Sequence, residues 1–136
     1  MFTKGADIPY TELGGGVRRK ILSYDEKMMA VEVNFDKGAV GAMHTHPHTQ
    51  ISYVLEGKFE ATIDGEVRII EVGDTYITPP DAPHGVVCLE AGTLLDIFTP
   101  MREDFVKYTY LTVKSPAVPG SLHACIYLLN LKTISP

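Results

Sequence analysis

The sequence predicts an all-β domain built as a sandwich or a barrel. Short runs with strand-like alternation follow one another from Val17 to Thr99, and glycines separate most of them. Helical periodicity is scarce over the same region. The dipeptide Asp64-Gly65 lies between two such runs and is typical of a tight hairpin turn. Many short strands at regular spacing favour a sandwich or a barrel over a mixed fold.

Seven segments carry strand patterns, and turn residues separate them. In the first segment Val31, Val33 and Phe35 share one face, because alternate residues of a strand point to the same side. We predict a turn at Glu56-Gly57, a separation between two strands at Gly92, and a rigid proline loop over residues 79–83. The predicted strands are residues 27–35, 50–55, 58–63, 66–72, 75–78, 84–89 and 93–99.

Length and charge limit the possible functions. A chain of 136 residues is long enough for one domain with its own core. Its net charge of -5, without a basic block, argues against a nucleic-acid partner. No apolar stretch reaches membrane-spanning length, and the first residues lack the features of a signal peptide, so we expect a cytoplasmic protein. Free thiols at Cys88 and Cys125 are then favoured over a disulfide.

The last thirty residues differ in composition from the rest. All 17 acidic residues lie at or before Asp104, whereas lysines continue to Lys132. We predict one domain over residues 1–106 and an atypical C-terminal extension over residues 107–136 that is not a separate domain. The extension is expected to be a docking segment across a dimer or a stretch foreign to the domain. His123 is interpreted as structural.

Histidines are concentrated where they could bind a metal. His44 and His46 are two residues apart, so on an extended strand both imidazoles would project from one face. Gln50 follows after a proline, and the proline loop presents His84. Three nitrogens and one oxygen suit a divalent zinc, nickel, manganese or iron ion. The alternative is a set of surface or core histidines, and His48 is expected to lie beside the site or at the surface.

The glycine and histidine spacings resemble the two cupin motifs. Gly38 precedes His44 by five intervening residues, Gln50 replaces the usual glutamate, and Gly57 ends the first motif. The second motif runs from Gly73 through Pro79 to His84, with Asp81 and Cys88 at positions that usually hold glycine and asparagine. The resemblance covers roughly residues 15 to 100. It implies a single cupin domain, a jelly-roll barrel with a metal in its mouth.

Within the cupins, the histidine–proline–histidine stretch and the segment from Asp96 to Phe105 resemble the KdgF group of pectin-degradation proteins. The resemblance implies a metal-dependent enzyme without an organic cofactor that acts on 4,5-unsaturated galacturonate, the product of polyuronate lyases. The expected reaction opens the ring and tautomerises it to the linear 5-keto-4-deoxyuronate. It also implies a homodimer and places Asp96, Phe98 and Arg102 in the active site.

Residue chemistry is compatible with those roles but leaves alternatives open. Leu94, Asp96 and Phe98 share one face of a strand, so an inward Asp96 would be a candidate general acid/base. If the parity is reversed, Asp96 faces solvent instead. Arg102 offers a two-point fork for the substrate carboxylate, or is an ordinary surface charge. Phe98 could stack on a sugar ring, although from the sequence alone we favour a core position.

Two other functions remain compatible with the same residues. Three-histidine cupins include iron dioxygenases, although a neutral Gln50 ligand leaves the full charge on the metal and favours Lewis-acid chemistry. A non-catalytic sugar-binding cupin is the second alternative. It is less favoured because the sequence has no basic helix-turn-helix pattern attached.

Overall fold

The computed structural model describes residues 1–107, and eight strands form almost all of its regular structure. A single 3-10 turn, Gly5–Asp7, precedes them. The strands are β1 (Thr11–Gly14), β2 (Val17–Tyr24), β3 (Met29–Phe35), β4 (Val40–His44), β5 (Thr49–Ile63), β6 (Glu66–Glu71), β7 (Thr75–Thr78) and β8 (His84–Thr99). The all-β prediction is therefore confirmed for this part of the chain.

The centre of the fold is a long antiparallel ribbon of β5 and β8. Its register runs from Thr49 opposite Thr99 to Ile63 opposite His84. At one half of the ribbon, β8 also pairs with β3 and β5 pairs with β7. At the other half, β8 pairs with β4 and β5 pairs with β6. The strands make a two-layer jelly roll, and among the described residues the sheet does not close on itself.

The predicted turn at Glu56-Gly57 and the predicted separation of strands at Gly92 are both wrong, because the chain passes through them without ending a strand. Glu56-Gly57 lies within β5, and Gly92 lies within β8, each at a register irregularity of the ribbon. A Cβ at Gly92 would overlap the Glu56 carbonyl oxygen, and a Cβ at Gly57 would come within 2.5 Å of the Glu90 carbonyl oxygen. The two glycines let the backbones cross closely while the ribbon folds over.

The hairpin turn at Asp64-Gly65 is confirmed. Asp64 has φ 48° and Gly65 has φ 83°, so both central residues lie in the left-handed region that a type I′ turn requires. The turn joins β5 to β6, and Ile63 pairs directly with Glu66. Asp64 also donates its backbone N–H to the Pro83 carbonyl, which ties this hairpin to the proline loop ahead of His84.

The hydrophobic core lies around the bend of the ribbon. Val54 and Phe59 flank Gly57 on β5, and both side chains are fully buried. Leu94 and Cys88 occupy the matching places on β8 and are buried as well. Phe35 packs edge-on against Phe59, with ring centroids 5.3 Å apart. Cys88 carries a free thiol, whereas Cys125 lies outside the described residues.

The first compact unit of the chain is Met1–Arg102, and residues 103–107 form a short helix that belongs to the second unit. The predicted boundary at residue 106 remains a prediction, since nearly all of the extension, including His123, lies outside the described residues. None of the helical segments described is long or apolar enough to cross a membrane. The cytoplasmic location also stays a prediction.

Candidate metal centre

Three of the predicted ligands lie together where the folding of the ribbon brings its two ends close. His44, His46 and His84 each offer a nitrogen, and these three atoms lie within 4.8 Å of one another. His44 ends β4 and pairs across the sheet with His84, the first residue of β8. Gln50 lies at the start of β5 and faces the same interior. Residues forty positions apart thus share one site because the ribbon doubles back.

The prediction that His44 and His46 share one strand is wrong. β4 ends at His44, and His46 lies in the connection to β5. A register irregularity precedes His44, and Pro47 removes a backbone donor just after His46. The His46 carbonyl accepts a hydrogen bond of 2.8 Å from the Asp81 N–H, so the proline loop holds this connection in place.

Hydrogen bonds to the backbone set the tautomers of two histidines. His44 Nδ1 lies 2.7 Å from the Ala42 carbonyl oxygen, and His84 Nδ1 lies 2.8 Å from that of Ala82. A carbonyl oxygen only accepts, so Nδ1 carries the proton in both rings. Each Nε2 therefore presents a lone pair, which is the arrangement that metal-binding histidines generally have.

The spacing of the remaining donor atoms fits a bound cation. His46 Nε2 lies 3.1 Å from His84 Nε2 and 2.9 Å from Gln50 Oε1. Metal–nitrogen bonds of about 2.0–2.1 Å in a tetrahedral site would place neighbouring ligand atoms about 3.3 Å apart. Converging lone pairs at such distances repel one another unless a proton or a cation lies between them. The donor set fits a divalent transition metal, and His44, His46, Gln50 and His84 are the residues that would hold it.

Burial keeps the His46 and His84 imidazoles neutral and available as ligands. Removal from water lowers the pKa of His84 to about 4, helped by the neighbouring His44 and His46 and only partly opposed by the Ala82 hydrogen bond. Burial likewise lowers the pKa of His46. A protonated ring would present no lone pair, so a depressed pKa leaves these ligands competent at neutral pH.

A second polar layer lies directly beneath the histidines. Gln50 Nε2 donates to Ser52 Oγ at 2.9 Å, and Ser52 Oγ donates to Asp96 Oδ1 at 2.6 Å. Burial raises the pKa of Asp96 to about 6, although hydrogen bonds from Ser52 and Gln50 and the charge of Arg102 oppose that rise. Asp96 is 8% exposed and lies between the buried Leu94 and Phe98. The solvent-facing alternative for Asp96 is therefore wrong.

Phe98 and Arg102 lie together beside the histidines. The Phe98 ring is buried and meets His46 edge-on, with centroids 5.6 Å apart. The Arg102 guanidinium carbon lies 5.2 Å from the Phe98 ring centroid, close enough for a cation–π contact. His48 is half-buried and its ring centroid lies 5.3 Å from that of His46. It is outside the three-histidine cluster found among residues 1–107.

Sequence reasoning missed two residues of this site, Ser52 and Tyr76. Ser52 is 1% exposed, and the Tyr76 hydroxyl hydrogen-bonds to it, beside the charge of Asp96. Burial raises the pKa of Tyr76, so its hydroxyl stays protonated. The sequence could have indicated an inward Ser52, because Ser52 has the same strand parity as Gln50 and Val54. Tyr76 could be placed only by its register opposite Ser52.

Comparison with known proteins agrees with this architecture. The Cupin domain model matches residues 31–98, which include every residue named at the site except Arg102. The pectin degradation protein KdgF of Dickeya dadantii is 47% identical over 102 residues, covering 74% of this chain and 93% of that protein. The chain belongs to the cupin family and, within it, to the family of KdgF. Its predicted resemblance is thereby confirmed.

Solved structures place the fold in the same family. KdgF from a Halomonas species superposes with a TM-score of 0.74 at 39% identity, covering 77% of this chain and 97% of that one. An RmlC-like cupin from Shewanella frigidimarina reaches 0.75 at 43% identity, covering 76% and 94%. Both alignments leave about a quarter of this chain unmatched.

Proposed function

We propose that this protein converts 4,5-unsaturated galacturonate to the linear 5-keto-4-deoxyuronate in a metal-dependent isomerisation. The proposal rests mainly on the convergence of His44, His46, Gln50 and His84 above a buried Asp96. KdgF of Dickeya dadantii is named for pectin degradation, and its 47% identity over most of its length supports the same pathway here. Zinc, nickel, manganese and iron all suit the donor set.

A bound divalent ion would supply Lewis-acid stabilisation for a substrate oxygen, since three imidazoles and an amide leave its charge uncompensated. The chain supplies the remaining functions. Arg102 lies beside the ligands and offers a planar fork for the carboxylate that any uronate carries. The Phe98 ring packs against that guanidinium and separates it from the hydrophobic core. The substrate ring would then lie with its reacting atoms over the polar layer.

Asp96 is the group proposed to move the proton. The reaction removes a proton from the anomeric hydroxyl, whose oxygen becomes the C1 aldehyde as the bond between C1 and the ring oxygen breaks, and it adds a proton at C4. The enol oxygen becomes the C5 ketone, so atoms and electrons balance without an oxidant or a reductant. A carboxyl whose pKa is raised to about 6 can accept and return a proton near neutral pH.

One assay separates this proposal from the alternatives. Freshly generated unsaturated galacturonate is added to metal-loaded protein, and the absorbance of its double bond is followed with and without chelator and oxygen. We expect loss of absorbance that chelator abolishes and that proceeds without oxygen. Turnover that requires oxygen would indicate a dioxygenase instead. Binding without turnover would indicate a sugar-binding cupin.

Asp96→Asn tests the proton-transfer role. We expect turnover to fall by roughly 10²- to 10⁴-fold at saturating metal, because a positioned acid/base contributes about that much. Metal content by elemental analysis should remain stoichiometric under those conditions. Full activity in this variant would remove Asp96 from the proposed chemistry.

We also propose that two copies associate through the outer face of β5 and β7. Ile51, Tyr53 and Leu55 alternate with the inward residues of β5 and are 46%, 39% and 44% exposed. Ile77 lies opposite Ile51 on β7, which pairs only with β5 among the described strands. An apolar face at a sheet edge suits a self-complementary contact. We expect a dimer by light scattering and a monomer for Ile51→Lys; an unchanged mass would exclude this face.

A further inference from the structure

We propose that Ser52, held by Asp96, is a positioning residue that turns the Gln50 amide so that its oxygen faces the metal. This inference rests on the proposed metal site and goes beyond it, because Ser52 hydrogen-bonds to the proposed ligand Gln50 but is not itself a ligand. An amide can present either its oxygen or its NH₂ group, and only the oxygen is a metal ligand. Something in the protein must therefore select the orientation.

The selection begins at the carboxylate. Asp96 Oδ1 accepts the Ser52 hydroxyl hydrogen at 2.6 Å, a distance typical of a charge-assisted bond. Ser52 has one hydrogen, and that hydrogen is committed to Asp96. The hydroxyl oxygen can then only accept from its other neighbours.

The orientation of Gln50 follows from that commitment. Its Nε2 donates to Ser52 Oγ at 2.9 Å, and its side chain also hydrogen-bonds to Asp96. With the amide turned over, Oε1 would face the lone pairs of Ser52 and the oxygens of Asp96, which is repulsive at full burial. The amide oxygen is left to face His46 Nε2, 2.9 Å away.

The same arrangement favours glutamine over glutamate at position 50. A carboxylate there would have no hydrogen to donate to Ser52 or to Asp96. It would also bring a second negative charge next to a buried carboxyl. The Ser52–Asp96 pair therefore explains why this chain departs from the usual cupin ligand, and it keeps the metal charge uncompensated.

Metal affinity provides the test, independent of turnover. Ser52→Ala removes the acceptor for the amide, and Ser52→Cys keeps nearly the same volume with a weak acceptor. We expect the dissociation constant for Zn²⁺, measured by competition with a chelating dye, to rise by about 10- to 100-fold in both variants. The metal-free proteins should retain the circular dichroism of the wild type.

Thr78→Val is the matched control. Thr78 lies opposite Gln50 on β7 and is fully buried, yet its hydroxyl has no hydrogen-bond partner among the described residues. Removing this hydroxyl should leave Zn²⁺ affinity within about twofold of the wild type. Equal losses in Ser52→Ala and Thr78→Val, or no loss in Ser52→Ala and Ser52→Cys, would overturn the inference.

A second readout needs no metal. In the metal-free protein, the side-chain amide protons of Gln50 should exchange slowly with solvent in the wild type and in Thr78→Val. They should exchange faster in both Ser52 variants, and unchanged protection there would contradict the inference. If the wild type binds Zn²⁺ as expected but leaves unsaturated galacturonate unchanged, the proposed reaction fails while the role of Ser52 stands.

Discussion

The interior of this jelly roll has two ends, and the same two strands build both. At the bend end, where β5 and β8 fold at Gly57 and Gly92, the inward residues are Val54, Phe59, Cys88 and Leu94. At the ligand end, where the ribbon begins and finishes, the inward residues are Gln50, Ser52, His84 and Asp96. The two ends differ in their inward side chains, apolar at the bend end and polar at the ligand end, and the register irregularities of the ribbon lie at the bend end.

The two ends are stabilised differently. At the bend end, the burial of apolar side-chain area contributes to the free energy of folding, and these side chains need no hydrogen-bond partner. At the ligand end, hydrogen bonds stabilise several of the buried polar atoms, Ser52 Oγ with Asp96 and the Nδ1 of His84 with Ala82. The Nδ1 of His46 has no partner among residues 1–107.

The largest expected effect is at the ligand end. His46→Ala should remove most bound metal, because His46 Nε2 is the nitrogen nearest both His84 Nε2 and Gln50 Oε1. Uronate turnover should then fall by roughly 10³-fold or more. His48→Ala is the neighbouring control and should keep stoichiometric metal by elemental analysis. Retention of metal by His46→Ala would contradict the ligand assignment.

Phe59→Ala probes the bend end. Phe59 is fully buried and packs against Phe35, so its truncation should lower the free energy of unfolding by about 3–5 kcal/mol. Metal stoichiometry of the folded fraction should not change. Ile69→Ala, at an exposed position of the neighbouring strand β6, should cost far less. Urea unfolding measures the stability of all three proteins. Metal loss in folded Phe59→Ala would show that the two ends are coupled.

The smallest expected effect is the pH dependence of the ligand end. The folded-state pKa of Asp96, about 6, lies above its ordinary value of 3.8. Its contribution to stability is therefore present in full below about pH 4 and is lost as pH rises through about 6. In chelator-treated protein, the stability of the wild type relative to Asp96→Asn should fall by roughly 3 kcal/mol between those limits. The buried histidines act oppositely but are common to both proteins.

Equal profiles of stability against pH for the wild type and Asp96→Asn would mean that Asp96 is solvated. The polar groups of the ligand end would then not be buried as described. Chemical unfolding at several pH values supplies the measurement. Metal-loaded protein serves as a comparison, because a nearby cation stabilises the carboxylate and should reduce the difference.

Much of the site could be predicted because it depends on residue type and local period. The common face of Leu94, Asp96 and Phe98 follows from strand alternation, whereas burial shows that this face is the inward one, a choice that the sequence left open. The hairpin at Asp64-Gly65 follows from its turn chemistry. The common strand for His44 and His46 was wrong, because Pro47 and a register irregularity end β4 early. The local pattern indicated which residues lie near the site, but it did not predict the backbone conformation that carries them.

By itself, the sequence determined the strand periodicity, the ligand types and their spacing, since these depend on residues close together in the chain. Only the tertiary structure decided that Gly57 and Gly92 are points where strands cross and not points where strands end, because the close approach involves two segments far apart in sequence. It also decided which way the Gln50 amide faces. That choice depends on a hydrogen committed between Ser52 and Asp96, forty-four residues apart, and no local pattern encodes such a contact.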